Sequence, residues 1–459
     1  MLIASNVTLR YWFYPIGNTP AVNLLRSANC ATGDRTRVLC LACGDARNVL
    51  FTLWSETPTI DKCHEFTTCD SEPAVLARNI LLYSFLMDQR SAESLNYTQL
   101  LWEMYYHFFL TSESMEALLK HLNGLLKISA SMAAWNNSQY AKTLRIMSSA
   151  TLRKIREFWQ SYLDFYKSEG DQTSILTSMQ DIFRRSGASE HATFLNGSRS
   201  LGVHGLSPSA TAHMSNALRA YWKTGVVAGN QRDAQNLRRE GGGRTNALFA
   251  LSSAPLGNLA VHYGCDPLLG FRLPQALDTN SKATDVLERL ADAAKSQFKA
   301  WCESFISHVV LDTTTIYFHC GEALSLCYEV QNHDDGYPKL PKDFYLYSTP
   351  WSCESLDLTN IETPSTAYNE YDVIDCSNIS DHVGILNLLP ATVPLLSKTR
   401  HATLYTETLL PTSEDTERYL DELLRADVSS IFFDSWHCSD WSPFGCLYRA
   451  FWIRDTHAG

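Results

Sequence analysis

Four short stretches carry the acidic and glycine residues with which an α/β chain does chemistry: Cys43-Gly-Asp45, Asp70-Ser-Glu72, Gly321-Glu322, and Asp375 with Asn378. Each follows an apolar run of strand type, at 38–42, 66–69, 315–320 and 371–374. Open parallel sheets bind ligands at the carboxyl ends of their strands, so the four stretches fall on one edge of such a sheet. A glycine at that edge permits the tight turn into a helix, whose first N–H groups suit a carboxylate or phosphate. A carboxylate after the second strand accepts hydrogen bonds from ribose hydroxyls. The pattern predicts a nucleoside-type site built from Gly44, Asp45, Asp70, Glu322 and Asp375.

Each of these residues also has a purely structural reading. Gly44 can simply serve a strand-to-helix turn. Asp70 stands three residues before Pro73, where it can cap the next helix; Glu322, Asp375 and Asn378 can act as caps or turn residues in the same way. Cys40-Leu-Ala-Cys43 has the spacing of a zinc or redox pair. Cys40 lies inside a strand, however, and no second pair follows, so no metal is expected. Arg238, Arg239 and Arg244 around Gly241-Gly-Gly243 read as a solvated loop rather than a phosphate grip. The sequence shows no nucleophile–base triad, P-loop or His-x-x-Glu-His signature.

The elements that position these residues alternate strand and helix, which predicts a parallel sheet with helices on both faces. The first half spans 1–87. A mostly helical block, 88–307, follows, with apolar periodicity over 94–128, 143–166, 175–183, 210–223 and 284–308. The stretches 186–209 and 225–244 read as loop. The second half, 308–459, brings strands at 315–320, 371–378 and 401–407, a helix at 414–424, and final strands at 428–433 and 446–452. The fold class is therefore α/β, with a large helical insertion between strands two and three.

Composition narrows the partners. A chain of 459 residues with net charge −11 is not drawn to nucleic acid or to anionic membranes. No apolar run approaches the roughly 18 residues of a spanning helix. Thirteen scattered cysteines and no secretory signal at the start point to reduced thiols and a cytoplasmic location.

The stretch 38–47, Val-Leu-Cys-Leu-Ala-Cys-Gly-Asp-Ala-Arg, resembles the first motif of Rossmann-like S-adenosylmethionine-dependent methyltransferases. Cys69-Asp-Ser-Glu-Pro resembles their second motif, Cys320-Gly-Glu-Ala-Leu the turn that faces adenine, and Tyr371-Asp-Val-Ile-Asp their fourth. More specifically, Phe13-Tyr-Pro-Ile-Gly-Asn-Thr-Pro, Cys43-Gly-Asp-Ala-Arg-Asn, Glu72-Pro-Ala-Val-Leu-Ala-Arg-Asn and Ser377-Asn-Ile-Ser-Asp-His are similar to a fungal family of uncharacterised proteins. Its members often carry a MYND-type zinc finger and resemble the N-terminal domain of dynein axonemal assembly factor 3. No His-x-x-x-Cys ending of such a finger occurs in this sequence. The resemblance implies a methyltransferase-type sheet, with Asp70 on ribose, Glu322 facing adenine and the Gly44 turn passing the methionine part of S-adenosylmethionine.

Three positions depart from that pattern. Cys40 stands where an acid is usual, and Ala42 and Ala46 replace glycines, which narrows a close-approach site. Two functions follow as expectations. One is a methyltransferase-like protein without catalysis that acts through protein partners as an assembly factor. The other is an S-adenosylmethionine-dependent methyltransferase.

Overall fold

Six strands pair side by side, all parallel: β1 (Arg35–Leu41), β2 (Cys63–Asp70), β3 (Leu144–Ile146), β4 (Thr314–Cys320), β5 (Val373–Asp375) and β6 (Thr403–Tyr405), in the spatial order β3-β4-β2-β1-β5-β6. The computed structural model describes residues 13–17, 19–26, 35–89, 97–168, 208–240, 242–250, 265–277, 283–331, 345–346, 349–350, 370–399 and 401–407. The sheet is Rossmann-like. From β1 the chain steps outward through β2, and later β4, then returns to the other side of β1 with β5 and β6. The direction of travel therefore reverses between β1 and β5.

The pleat divides the apolar strand residues between two layers. Val38, Cys40, Phe66, Ile316, Phe318 and Val373 face the larger core, whereas Leu39, Leu41, Cys69, Tyr317, Ile374 and Leu404 face the smaller one. Strands buried on both faces read as continuous apolar runs, as 38–41 does. The smaller core is closed by α7 (Ala323–Gln331) and α8 (Ile385–Thr392). The larger one holds α1 (Arg47–Ser55), α2 (Pro73–Gln89), α3 (Tyr97–Tyr106), α4 (Ser112–Ile128), α5 (Ser149–Phe165) and α6 (Ala283–Val310).

Helix α2 lies at the centre of that core. Every residue from Pro73 to Met87 is buried, so the helix is covered on all sides rather than on one stripe. Its polar members are bonded within the core. Arg78 donates to the carbonyls of Leu248 (2.9 Å) and Tyr105 (2.8 Å), with its guanidinium 4.7 Å from the Tyr105 ring and 4.6 Å from that of Phe249. Carbonyl oxygens and ring faces thus replace the water a guanidinium loses on burial. On α5, Trp159 donates its indole N–H to the Ala77 carbonyl at 3.0 Å.

The segment 88–307 differs from its expected helical pattern in three places. Continuous helix over 94–128 is broken at 107–111, where Phe108 and Leu110 bond outward to the carbonyls of Gly225 and Arg244. Thr111 then caps α4 by accepting the Ser114 N–H at 3.2 Å. The start of 143–166 is strand: Leu144 and Ile146 flank Arg145 with period two, and β3 pairs with β4 at the sheet edge. The polar stretch 225–244 contains a helix, Gln231–Glu240, with Asn230 Oδ1 accepting the Asp233 N–H at 2.9 Å. The expected elements at 175–183, 414–424, 428–433 and 446–452 lie outside the described residues, as does the expected loop 186–209 apart from 208–209, where a helix (Pro208–Thr224) begins. Among the described residues, no helix is long and apolar enough to cross a membrane.

At the amino end of the sheet two histidine rings meet edge to face, His64 of β2 and His308 of α6, with centroids 5.7 Å apart. His308 also bonds Thr313 at 2.8 Å and the Leu53 carbonyl at 3.0 Å. Burial, reinforced by His308 and Lys62, pushes the His64 pKa down from 6.5 to about 4. The unfolded chain therefore takes up this proton first as pH falls. The stability His64 contributes is complete above 6.5 and lost towards 4. Urea denaturation at both pH values should show wild type losing about 3 kcal/mol relative to His64→Phe, the linkage value of a shift this size.

Candidate functional site

The predicted site residues all lie at the carboxyl edge of the sheet, and the turn after β1 shows how they are used. The chain leaves β1 through Ala42 (φ 49°) and Gly44 (φ 58°), both left-handed. Ala42 accepts the conformation for which the sequence comparison expects glycine, at a cost of about 1 kcal/mol. A Cβ on Gly44 would meet nothing within 4 Å, so its φ, not close approach, is what calls for glycine. Gly321 is the opposite case: a Cβ there would lie 2.5 Å from His319 Nε2, so the residue is small to seat a neighbouring ring.

Asp70 ends β2 and ties this turn to the next helix. Its Oδ2 accepts the Gly44 N–H at 3.1 Å, and its Oδ1 accepts the Glu72 N–H at 2.9 Å. Glu72 in turn caps α2 by accepting the Ala74 N–H at 3.1 Å. Burial pushes the Asp70 carboxyl up to about 6, against the pull of its two amide donors, with Glu72 and Glu322 adding to the rise.

Asp45 is committed on the other side of the turn. Oδ2 accepts the Gly17 N–H at 2.8 Å, and Oδ1 pairs with the Arg47 guanidinium at 3.0 Å. Arg47 reaches on to the Thr19 carbonyl and hydroxyl. Asn48 and Thr52, along the same face of α1, accept the N–H groups of Val22 (3.1 Å) and Leu24 (2.9 Å). The stretches 13–17 and 19–26 are thereby strapped along α1.

Above the turn sits Tyr105 of α3. Its hydroxyl accepts the Ala46 N–H at 2.9 Å and donates to Asn79 Oδ1 at 2.9 Å, while Asn79 Nδ2 donates to the Gly44 carbonyl at 2.8 Å. Ala46 is the N-cap of α1, so a side chain from α3 holds the donor that a ligand oxygen would seek.

The remaining two acids differ in setting. Asp375 is buried on β5 beside Cys40 of β1; burial raises its carboxyl, while Arg26 and the Ser377 N–H pull it down. Glu322 is exposed at the entry to α7. Where the chain reverses between β1 and β5 there is a cavity of about 10 Å³, lined by Cys40, Cys43, Asp45, Asn79 and Asp375 among others. That volume is of the order of a single water molecule. The structure thus joins Gly44 to Asp70 directly, places Asp45 and Asp375 on one small cavity, and leaves Glu322 facing solvent.

Two groupings escape the sequence reading. Tyr105 belongs to no motif, though the polar pair Arg78-Asn79 inside the apolar run 73–87 was a visible sign of something to be held. Ser84, His121 and Asp88 also converge: Ser84 Oγ lies 2.8 Å from His121 Nε2, and His121 Nδ1 lies 3.3 Å from Asp88 Oδ2. The order is that of an acyl-transfer triad. Ser84 has no accessible surface, however, and bonds its own helix at the Leu81 carbonyl (3.1 Å), so the trio braces α2 against α4. Among the described residues, nine cysteines are free thiols, and no three or more His, Cys, Asp or Glu side chains group as a metal site.

Residues 15–110 match the model of a family described as a domain of unknown function, DUF4470. No curated protein and no solved structure matches the chain. The matched span takes in the strap, β1, α1, β2, α2 and α3, and with them every group that meets at the Gly44 turn.

The raised Asp70 pKa makes a prediction opposite in sign to that of His64. The folded state holds this proton up to about pH 6, the unfolded chain only to about 3.8. Wild type should therefore gain on Asp70→Asn as pH falls from 7 to 4, by up to about 3 kcal/mol in denaturant midpoints. Asp70→Ala, which strips both amides of their acceptor, should cost about 2–4 kcal/mol at pH 7, and more at pH 4, where wild type has gained the same increment.

Proposed function

We propose that this chain is a methyltransferase-type protein whose cofactor cleft is filled from within, and that it acts without catalysis as a protein-interaction or assembly factor. The observation that carries this reading is the state of the Gly44 turn. The Asp70 oxygens hold two backbone amides, the Ala46 donor is held by Tyr105, and Asp45 is held by Gly17 and Arg47. The space left beside them is about 10 Å³, whereas drug-sized ligands occupy pockets of roughly 300–1,000 Å³. Cys40 and Ala46 at pattern positions favour the same reading.

In this view 88–307 is an insertion between β2 and β4, set between first and second halves at 1–87 and 308–459. Its helices and the sheet share one core, which suits a scaffold presenting a fixed surface. The likeness to the fungal family and to the assembly-factor domain supports protein partners, met in the cytoplasm, as the chain's working ligands.

The second reading is an S-adenosylmethionine-dependent methyltransferase. It draws on the common edge shared by Gly44, Asp70, Glu322 and Asp375, with an Asp70 carboxylate that retains lone pairs for ribose hydroxyls. Catalysis there is chiefly positioning, since the sulfonium already carries the reactive methyl group. Isothermal titration with S-adenosylmethionine and S-adenosylhomocysteine separates the two. We expect no heat of binding with ligand at about 1 mM, a level that detects even interactions of about −4 kcal/mol. Micromolar binding that disappears in Asp70→Ala would establish the enzyme instead.

A further inference from the structure

Tyr105 makes a specific set of contacts for a core aromatic. Its backbone carbonyl is held by Arg78 and its hydroxyl by Asn79, adjacent residues on α2. The same hydroxyl takes the Ala46 N–H, and the Arg47 N–H that follows points at Asp45 Oδ1 (3.4 Å). The amides of the N-cap Ala46 and of Arg47, the first residue of α1, are thus supplied with oxygens from the chain itself. In an open parallel sheet this is where a ligand oxygen binds, at the helix that follows the first strand and beside the strand-order reversal.

We propose that Tyr105 is a built-in occupant of this site, its hydroxyl closing the β1–α1 turn against a ligand oxygen. The inference rests on the reading of an internally filled cleft and adds what fills it. Three observations carry it. The hydroxyl ties its own helix α3 to the N-cap of α1 and to α2, rather than to one neighbour. The cavity at the β1/β5 reversal adjoins the same groups, because Asp45 and Asn79 line it. Finally, Asp45, Ala46, Arg47, Asp70, Asn79 and Tyr105 all fall inside the matched span 15–110, so the closure is internal to that unit.

The ligand class suited to the emptied site has an oxyanion for the Ala46 and Arg47 amides and a hydroxyl-bearing sugar within reach of Asp70. S-adenosylhomocysteine carries both and is the probe. Full-length wild type and Tyr105→Ala are titrated in parallel, with folding checked by circular dichroism. Tyr105→Ala removes the ring and the hydroxyl together and should bind at least about tenfold more tightly than wild type, a difference titration resolves. A folded Tyr105→Ala that binds no better than a silent wild type overturns the occupant and leaves the proposed function standing. Binding by wild type itself overturns both. Where Tyr105→Ala does not fold, Tyr105→Phe keeps the ring and removes only the oxygen. Its Ala46 amide should then exchange hydrogen at least about tenfold faster than in wild type, relative to core amides of α2. Unchanged Ala46 protection in Tyr105→Phe overturns the proposal.

Discussion

One carboxylate at the end of β2 sets the geometry on which the rest of this edge depends. Asp70 draws the Gly44 amide of the first turn and the Glu72 amide of the second towards one point. Two adjacent strand-to-helix turns are thereby held in register with each other. The cost is visible in the carboxyl's raised pKa: the charge is buried further than two amide donors fully compensate. The arrangement nonetheless persists because the groups around it are also bonded, through Asn79 to the Gly44 carbonyl and through Tyr105 to Ala46. Buried polar networks of this kind rigidify a fold when every member finds a partner.

Around that point the protein is built inward rather than as a sheet with appended helices. Helix α2 is enclosed by the sheet and by helices contributed from the segment that follows it. Its Arg78 is held by carbonyl dipoles and ring faces. Ser84 and Asp88 brace it against His121 of α4. The residues that resemble chemical machinery in isolation, an arginine, a serine and a histidine, are all spent on holding α2 in place.

Much of this was legible in the sequence, and what was not has physical causes. The run 38–41 and the turn at Gly44 are legible because a buried parallel strand and a left-handed residue each restrict composition strongly. The carboxyl-edge placement of Asp45, Asp70, Glu322 and Asp375 follows from strand polarity alone. The strand at Leu144–Ile146 was missed because three residues are too few for a period-two pattern to stand out against a following helix. The break at 107–111 was missed because apolar residues run on from α3 through Phe108, Phe109 and Leu110, and only the Thr111 cap marks the new helix. The partners of the site acids were hidden for a different reason. Whether Asp70 meets a ribose or a backbone amide depends on what α3 and the strap place beside it, and residues 13–26 and Tyr105 carry no signature of that role.

The strand order carries one more consequence, for how the molecule comes into being. β1 is central, and its neighbours are β2, within the same stretch of chain, and β5, where the Arg37 amide meets Asp372 across 335 residues. During synthesis the span 15–110 therefore emerges with one side of β1 unpaired, and that edge stays open until the partner strand, some 335 residues further on, has been made. An open, apolar parallel strand is a template for wrong pairing, and contacts so distant in sequence form slowly. The side of the Gly44 turn that faces Asp375 is thus completed late, whereas the knot of Asp70, Asn79 and Tyr105 can form early from local chain. A turn that is tied off before its final neighbour arrives has a reason for its ties that is independent of any ligand.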